Sequence, residues 1–223
     1  MSIPPLDQSH RMTPDAPAPT DDPRIAAVLT FWLGASPPTD TSALAQQSLW
    51  FTKSNAVDED IRQRFGALIA QARAGQLDAW AHTALGRLAL VLVLDQFSRN
   101  AYRGQPASFA ADAQALALAE EGLANGHAAA LPLAARIFMA LPLEHAEDLA
   151  RQERTVALLT DWTAQAASAA PGVQKLLAGT LDYAHQHHAV IARFGRFAHR
   201  NAILGRASTA EELAYLAQPG AGF

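Results

Sequence analysis

The sequence predicts an all-α fold, and three observations carry that expectation. From residue 22 onward, apolar residues recur at three- and four-residue spacing, which lines them along one face of a helix. No segment alternates apolar and polar residues with the period of two that a half-buried strand requires. Between the periodic segments stand helix starts and stops such as Asp22-Pro23, Gly34 and Pro171-Gly172. About eight or nine helices joined by short loops account for the chain.

Residues 1–21 carry Pro4, Pro5, Pro14, Pro17 and Pro19 with few large apolar groups. They cannot bury enough surface to offset ordering and read as a disordered, Pro-rich tail. Residues 22–223 read as one helical domain. Its first helix is capped by Asp22, opens at Pro23, ends at Gly34, and turns Ile25, Val28, Leu29 and Trp32 inward. Ser36-Pro37-Pro38 breaks the chain before a short amphipathic piece ending in Leu49-Trp50-Phe51. A helix over 57–74 comes next, capped by Asn55, closed by Gly75 and striped with Ile61, Phe65, Leu68 and Ile69.

Asp78 is placed as the cap of the turn that begins a central helix over 83–100. Leu88 to Leu94 is apolar on every face, so this helix belongs inside the domain. A strand is the alternative for that run; it loses because helix-forming sequence flanks it and no second strand candidate exists to pair with it. Helices are then expected over 107–124, over 133–141 with Pro142 as the stop, over 144–167, and over 173–193. Ser208-x-x-Glu211 resembles a capping box for a short last helix through Leu216. No repeat of about 34 residues emerges. One echo does, between the segment from Phe97 to Gly104 and that from Phe197 to Gly205.

Composition excludes several classes of function. The chain has 223 residues, 50% of them apolar and 17% charged, with a formal net charge of −4. That balance carries no basic surplus for nucleic acid. With no cysteine, disulfides, thiolate catalysis and Cys-ligated metal centres are out. No apolar run approaches the roughly 20 residues of a membrane span, and no signal peptide opens the chain, so a cytoplasmic protein is expected. Fifteen arginines stand against two lysines, which fits bidentate anion recognition or simply genome composition.

Chemistry concentrates in residues 185–206, which hold His185, His187, His188, His199, Arg193, Arg196, Arg200 and Arg206 without one acidic residue. A solvated helix face would mix such cations with acids. The missing carboxylates must come from elsewhere, and two distant segments can supply them. Around Asp95, Arg99 lies four residues on and can pair with it, while Gln96, Asn100 and Arg103 form an adjacent polar face. Glu144, Asp148 and Gln152 are spaced along one helical stripe flanked by His145 and Glu147. Each group also has a purely structural reading, as a helix-end ion pair or as acids favouring a helix dipole. After Gly195, the dense polar run Arg196, His199, Arg200, Asn201 suits an anion-binding or catalytic loop. A carboxylate brought to His199 would make it a general acid or base, with arginines holding a phosphate or carboxylate. Two weaker patterns are a divalent-metal site on His185, His188 and the Glu144 stripe, and an R-x5-H spacing from Arg193 to His199 like that of some helical ribonucleases. No HExxH and no paired ExxH motifs support a metal, so neither metal nor cofactor is expected.

The strings LDQFSRNAYRG, LPLEHAEDLARQ and RFGRFAHRNAILGR, with FWLG and LWF, resemble a bacterial domain-of-unknown-function family, number 924, over about residues 24–216. The resemblance implies a helical fold of the tetratricopeptide-like superfamily and no established activity. Its recurring positions correspond here to Trp50, Phe51, Asp95, Gln96, Phe97, Arg99, Asn100, Arg103, Glu144, His145, Glu147, Gln152, His185, Arg196, Phe197, His199, Arg200 and Asn201. Ser98 and Ala198 stand where the family usually has proline, and Ala146 where it usually has serine.

Two functions remain open. In one, His199, Glu144 and His145 act as acid–base groups, and Asp95, Gln96, Arg99, Asn100, Arg103, His185, Arg196, Arg200 and Asn201 bind a small anionic ligand. In the other, a superhelical adaptor binds a protein or peptide, and the same residues form its internal ion pairs. The sequence leaves open whether the protein is an enzyme.

Overall fold

The computed structural model describes residues 22–222; the tail expected over 1–21 lies outside them. Every regular element among the described residues is helical. The chain runs through α1 (Pro23–Leu33), α2 (Asp40–Leu44), α3 (Gln47–Phe51) and α4 (Asn55–Arg73) to a central helix. That helix begins as α5 (Ala84–Val91), widens into a π-helical turn (Leu92–Phe97) and ends as α6 (Ser98–Ala101). Beyond it lie α7 (Asp112–Ala124), α8 (Leu133–Arg136), α9 (Leu141–Glu144), α10 (Leu149–Gln165), α11 (Pro171–Phe194) and α12 (Ala210–Leu216). Among the described residues no helix is long and apolar enough to cross a membrane.

The central helix is buried because its apolar run leaves it no polar face. Residues Leu88 to Leu94 are all 0% exposed. Helices α1, α4 and α7 pack around it, and Phe97 at its wide turn meets Trp32 of α1 at 5.5 Å and Phe65 of α4 at 4.7 Å between ring centroids. Edge-on and tilted ring pairs of this kind add to the burial energy. Phe138 extends the cluster to Trp50, whose indole N–H donates to the Trp32 carbonyl at 2.8 Å. Helices α10 and α11 form a hairpin that packs on this core through α2, α8 and α9. A second, small cluster of Val190, Ile191 and Phe197, with Phe194 and Tyr215 against it, joins the end of α11 to α12.

Several boundaries differ from the sequence reading. Ser54 rather than Asn55 caps α4; Asp78 lies inside the turn before the central helix, after Leu77, instead of capping it, and Thr83 caps the helix itself, accepting from the Gly86 N–H. Pro142 does not stop a helix; it occupies the first turn of α9, where its missing N–H costs nothing. The expected helix over 144–167 begins only at Leu149, with Asp148 as its cap. The last capping box is Thr209 with Glu212, one residue beyond Ser208 and Glu211.

Candidate functional site

Asp95 lies inside the π-helical turn. One extra residue in a turn rotates the remainder of the helix by about 100° relative to a regular α-helix. The turn carries Asp95 into the interior, where it is 1% exposed. Arg99, one α-helical turn further on, approaches it to 3.3 Å, and the Gln96 amide donates to it at 2.6 Å. His145, in the short link between α9 and α10, brings Nδ1 to 2.7 Å of Asp95 Oδ1. Arg99 Nε also stands 3.2 Å from that same Nδ1. A single ring nitrogen cannot donate to one and accept from the other. The shorter, charge-assisted contact sets the tautomer: Nδ1–H donates to Asp95, and Arg99 approaches as a cation only. Burial would raise the Asp95 pKa, but His145, Arg99 and Gln96 outweigh it and hold the carboxyl well below its usual range. Burial and the Arg99 charge lower His145, against the pull of Asp95. The product is an ionised carboxylate orienting a neutral imidazole.

Glu144 is 3% exposed at the end of α9. Burial, and secondarily the charge of Asp95, pushes its carboxyl up to about 8, so it holds a proton at neutral pH. Oε1 lies 3.3 Å from His187 Nδ1, which itself contacts the Tyr183 carbonyl at 3.0 Å. Burial pushes His187 down to about 3. The Glu144–His187 contact therefore joins a neutral acid to a neutral ring and is not an ion pair. Glu144 Oε2 has no hydrogen-bond partner among the described residues, and neither has Gln152 Oε1. The Gln152 amide nitrogen donates to the carbonyls of Glu144 at 2.6 Å and Ala146 at 2.8 Å, which fixes the link that carries His145.

Arg200 closes the group from the other side. Gly195 ends α11 in the left-handed conformation, φ +68°, and the chain continues into a short turn over Ala198–Arg200. The Arg200 guanidinium lies between the rings of Phe197 at 4.5 Å and Phe109 at 4.8 Å. It reaches Asp112 at 3.5 Å, while Nε has no partner among the described residues. Burial and the neighbouring Arg99 lower it to about 10, still a cation at neutral pH. Arg99 shares Asp112 through two 3.0 Å contacts. His199, beside Phe197 at 5.7 Å between rings, is pushed down to about 4 by burial and by Arg200 and Arg99.

The structure thus brings together Asp95, Gln96, Arg99, Glu144, His145, His199 and Arg200 from the sequence-derived set. It places the others elsewhere. Asn100 and Arg103 both bond Asp58 of α4, and Arg103 and Asp58 line a separate cleft of about 480 Å³ with Lys53, Glu59 and Arg62. His185 is exposed, and His187 takes the inward position on α11. Arg196 and Asn201 bond Glu212 of α12. Glu144, Asp148 and Gln152 are not one helical stripe, because the chain breaks between α9 and α10. Glu147 holds the 197–206 loop by accepting from the Phe197 N–H and from Arg206, and its charge reaches His199 and Arg200. Sequence reasoning missed Asp112, Phe109 and His187. Among the described residues no three His, Asp or Glu side chains are placed to hold a metal ion.

Comparison with known proteins gives a family and no activity. Residues 28–220 match the family model described as "Bacterial protein of unknown function (DUF924)". A solved structure of a protein of unknown function from Agrobacterium tumefaciens is similar, with 34% identity and a TM-score of 0.72 over 87% of this chain and 97% of that one. No curated protein matches.

Proposed function

The chain belongs to this bacterial family of unknown function, and from the geometry of its own residues we propose that the Asp95–His145–Glu144–Arg200 cluster binds a small anion, a carboxylate or phosphate, and performs acid–base chemistry of a hydrolase type on it. The single observation that supports this reading most is the pairing of opposite protonation behaviour within one buried cluster. His145 is a neutral base oriented by ionised Asp95, while adjacent Glu144 retains a proton to about pH 8. Titratable neighbours driven apart in this way are what assigns acid and base roles in active sites. Arg200 supplies a stacked cation with a buried N–H that no described residue uses, the kind of donor an anion takes up.

Titration calorimetry with inorganic phosphate and with acetate tests this. Wild type should bind one of them, and Arg200→Gln and Arg200→Lys should each weaken binding by about tenfold or more, as loss of a charge-assisted hydrogen bond requires. Arg193→Gln, which breaks the exposed pair with Glu211, should leave it unchanged. No binding by wild type, or equal binding by the Arg200 variants, would overturn the proposal. That result would favour the alternative, a tetratricopeptide-like peptide-binding adaptor in which these residues are internal ion pairs.

A further inference from the structure

The segment after α12 lies against the candidate site. Residues 217–220 are exposed, and the chain then turns inward so that Ala221 and Gly222 are half-buried. Gly222 has φ +87°. A Cβ built on it would stand 3.1 Å from His199 Cβ, 3.6 Å from Cγ and 3.9 Å from Nδ1. A side chain at this position would press on His199, chiefly at its Cβ, and glycine alone combines that approach with a positive φ at no steric cost. The anchor of the segment is upstream: Glu212 of α12 is held by Arg196 at 2.6 Å and caps its own helix through the Thr209 N–H. Beyond that anchor, the backbone hydrogen bonds from Gln218 to Tyr215 and from Ala221 to Gln218 stay within local turns. Among the described residues the segment's hydrogen bonds are local, and with two positive-φ glycines beyond the Glu212 anchor it can swing away at small cost.

We propose that residues 218–222 form a strap that covers His199 and gates ligand entry to the Asp95–His145–Glu144 cluster. The inference rests on the anion-binding reading of that cluster and deepens it. The His199 ring lies 5.7 Å from that of Phe197, against which the Arg200 guanidinium stands at 4.5 Å, so uncovering His199 opens the way to Arg200. Strap and ligand then compete, and the apparent affinity equals the intrinsic affinity reduced by the fraction of open molecules.

The test uses two variants, a chain ending at Ala217 and full-length Gly222→Val, compared with wild type. Carbethoxylation of His199 by diethyl pyrocarbonate is followed by peptide mass spectrometry with exposed His185 as internal reference, and inorganic phosphate affinity is measured by calorimetry. With a strap closed in about nine molecules of ten, both variants should label His199 about tenfold faster and bind phosphate about tenfold tighter, with His185 unchanged. Unchanged His199 labelling would overturn the strap even where phosphate binds. Faster labelling with unaltered phosphate affinity would overturn the gating. Faster labelling with no phosphate binding by any form would leave a cover over His199 but overturn the anion site the gate serves.

Discussion

Glu144 keeps its proton because ionising it would strand a charge in the interior beside the anion Asp95. Its consequence for stability has a definite sign. The folded-state pKa, about 8, lies above the ordinary 4.5, so the unfolded chain loses this proton first and stability falls as pH rises toward 8. His187 and His199, lowered to about 3 and about 4 from 6.5, act oppositely, adding stability as pH rises toward 6.5 and nothing beyond. Between pH 6.5 and 8 Glu144 acts without them, and wild type should lose about 2 kcal/mol across that window. Glu144→Gln should be flat there in urea denaturation; parallel curves would contradict the assignment. The sequence announced Asp95 and Arg99 through their four-residue spacing. His187 was missed, although it falls three residues after Ala184 and three before Val190, the spacing of an apolar helix face. The i,i+3 pair His185 and His188 obscures that register. Asp112 and Phe109 gave no signal, because their roles arise from where α7 docks.

At the scale of elements, two devices build the site, and neither is a regular helix. The π-helical turn reads in sequence as plain apolar helix; nothing local marks the one-residue widening that buries Asp95. The link between α9 and α10 was hidden by helix-forming residues on both sides. Its structure is held by Gln152, 0% exposed, which donates to two main-chain carbonyls. Gln152→Leu keeps the volume and leaves those acceptors unsatisfied, so it should cost about 2–3 kcal/mol in chemical denaturation. A loss below about 1 kcal/mol would mean the link is held by other contacts. By contrast α1, with Asp22, Pro23 and Gly34 in their expected roles, was fully legible, because caps are local chemistry.

For the whole molecule, the site lies where the main core meets the small cluster of Val190, Ile191 and Phe197. A cluster of three buried residues cannot hold its elements as firmly as the core around Trp32, Phe97 and Phe138. Native-state hydrogen exchange should therefore show amides of α12 opening at lower free energy than those of Leu88 to Leu94; uniform protection would contradict this division. The all-helical class came from periodicity and local start and stop signals, and the buried central helix from a run apolar on every face. The meeting of segments around residues 95, 145 and 200 did not, since it depends on tertiary packing.

In the proposed site His145 is a neutral base, protonated on Nδ1 by the demand of Asp95 and presented to a bound anion. Nitrogen-15 NMR of the histidine rings at pH 7, with and without inorganic phosphate, tests it most directly. His145 should be neutral and carry its proton on Nδ1, with the Nε2 resonance moving when phosphate is added. A doubly protonated His145, or a ring indifferent to phosphate in a protein that binds it, would rule out His145 as that base.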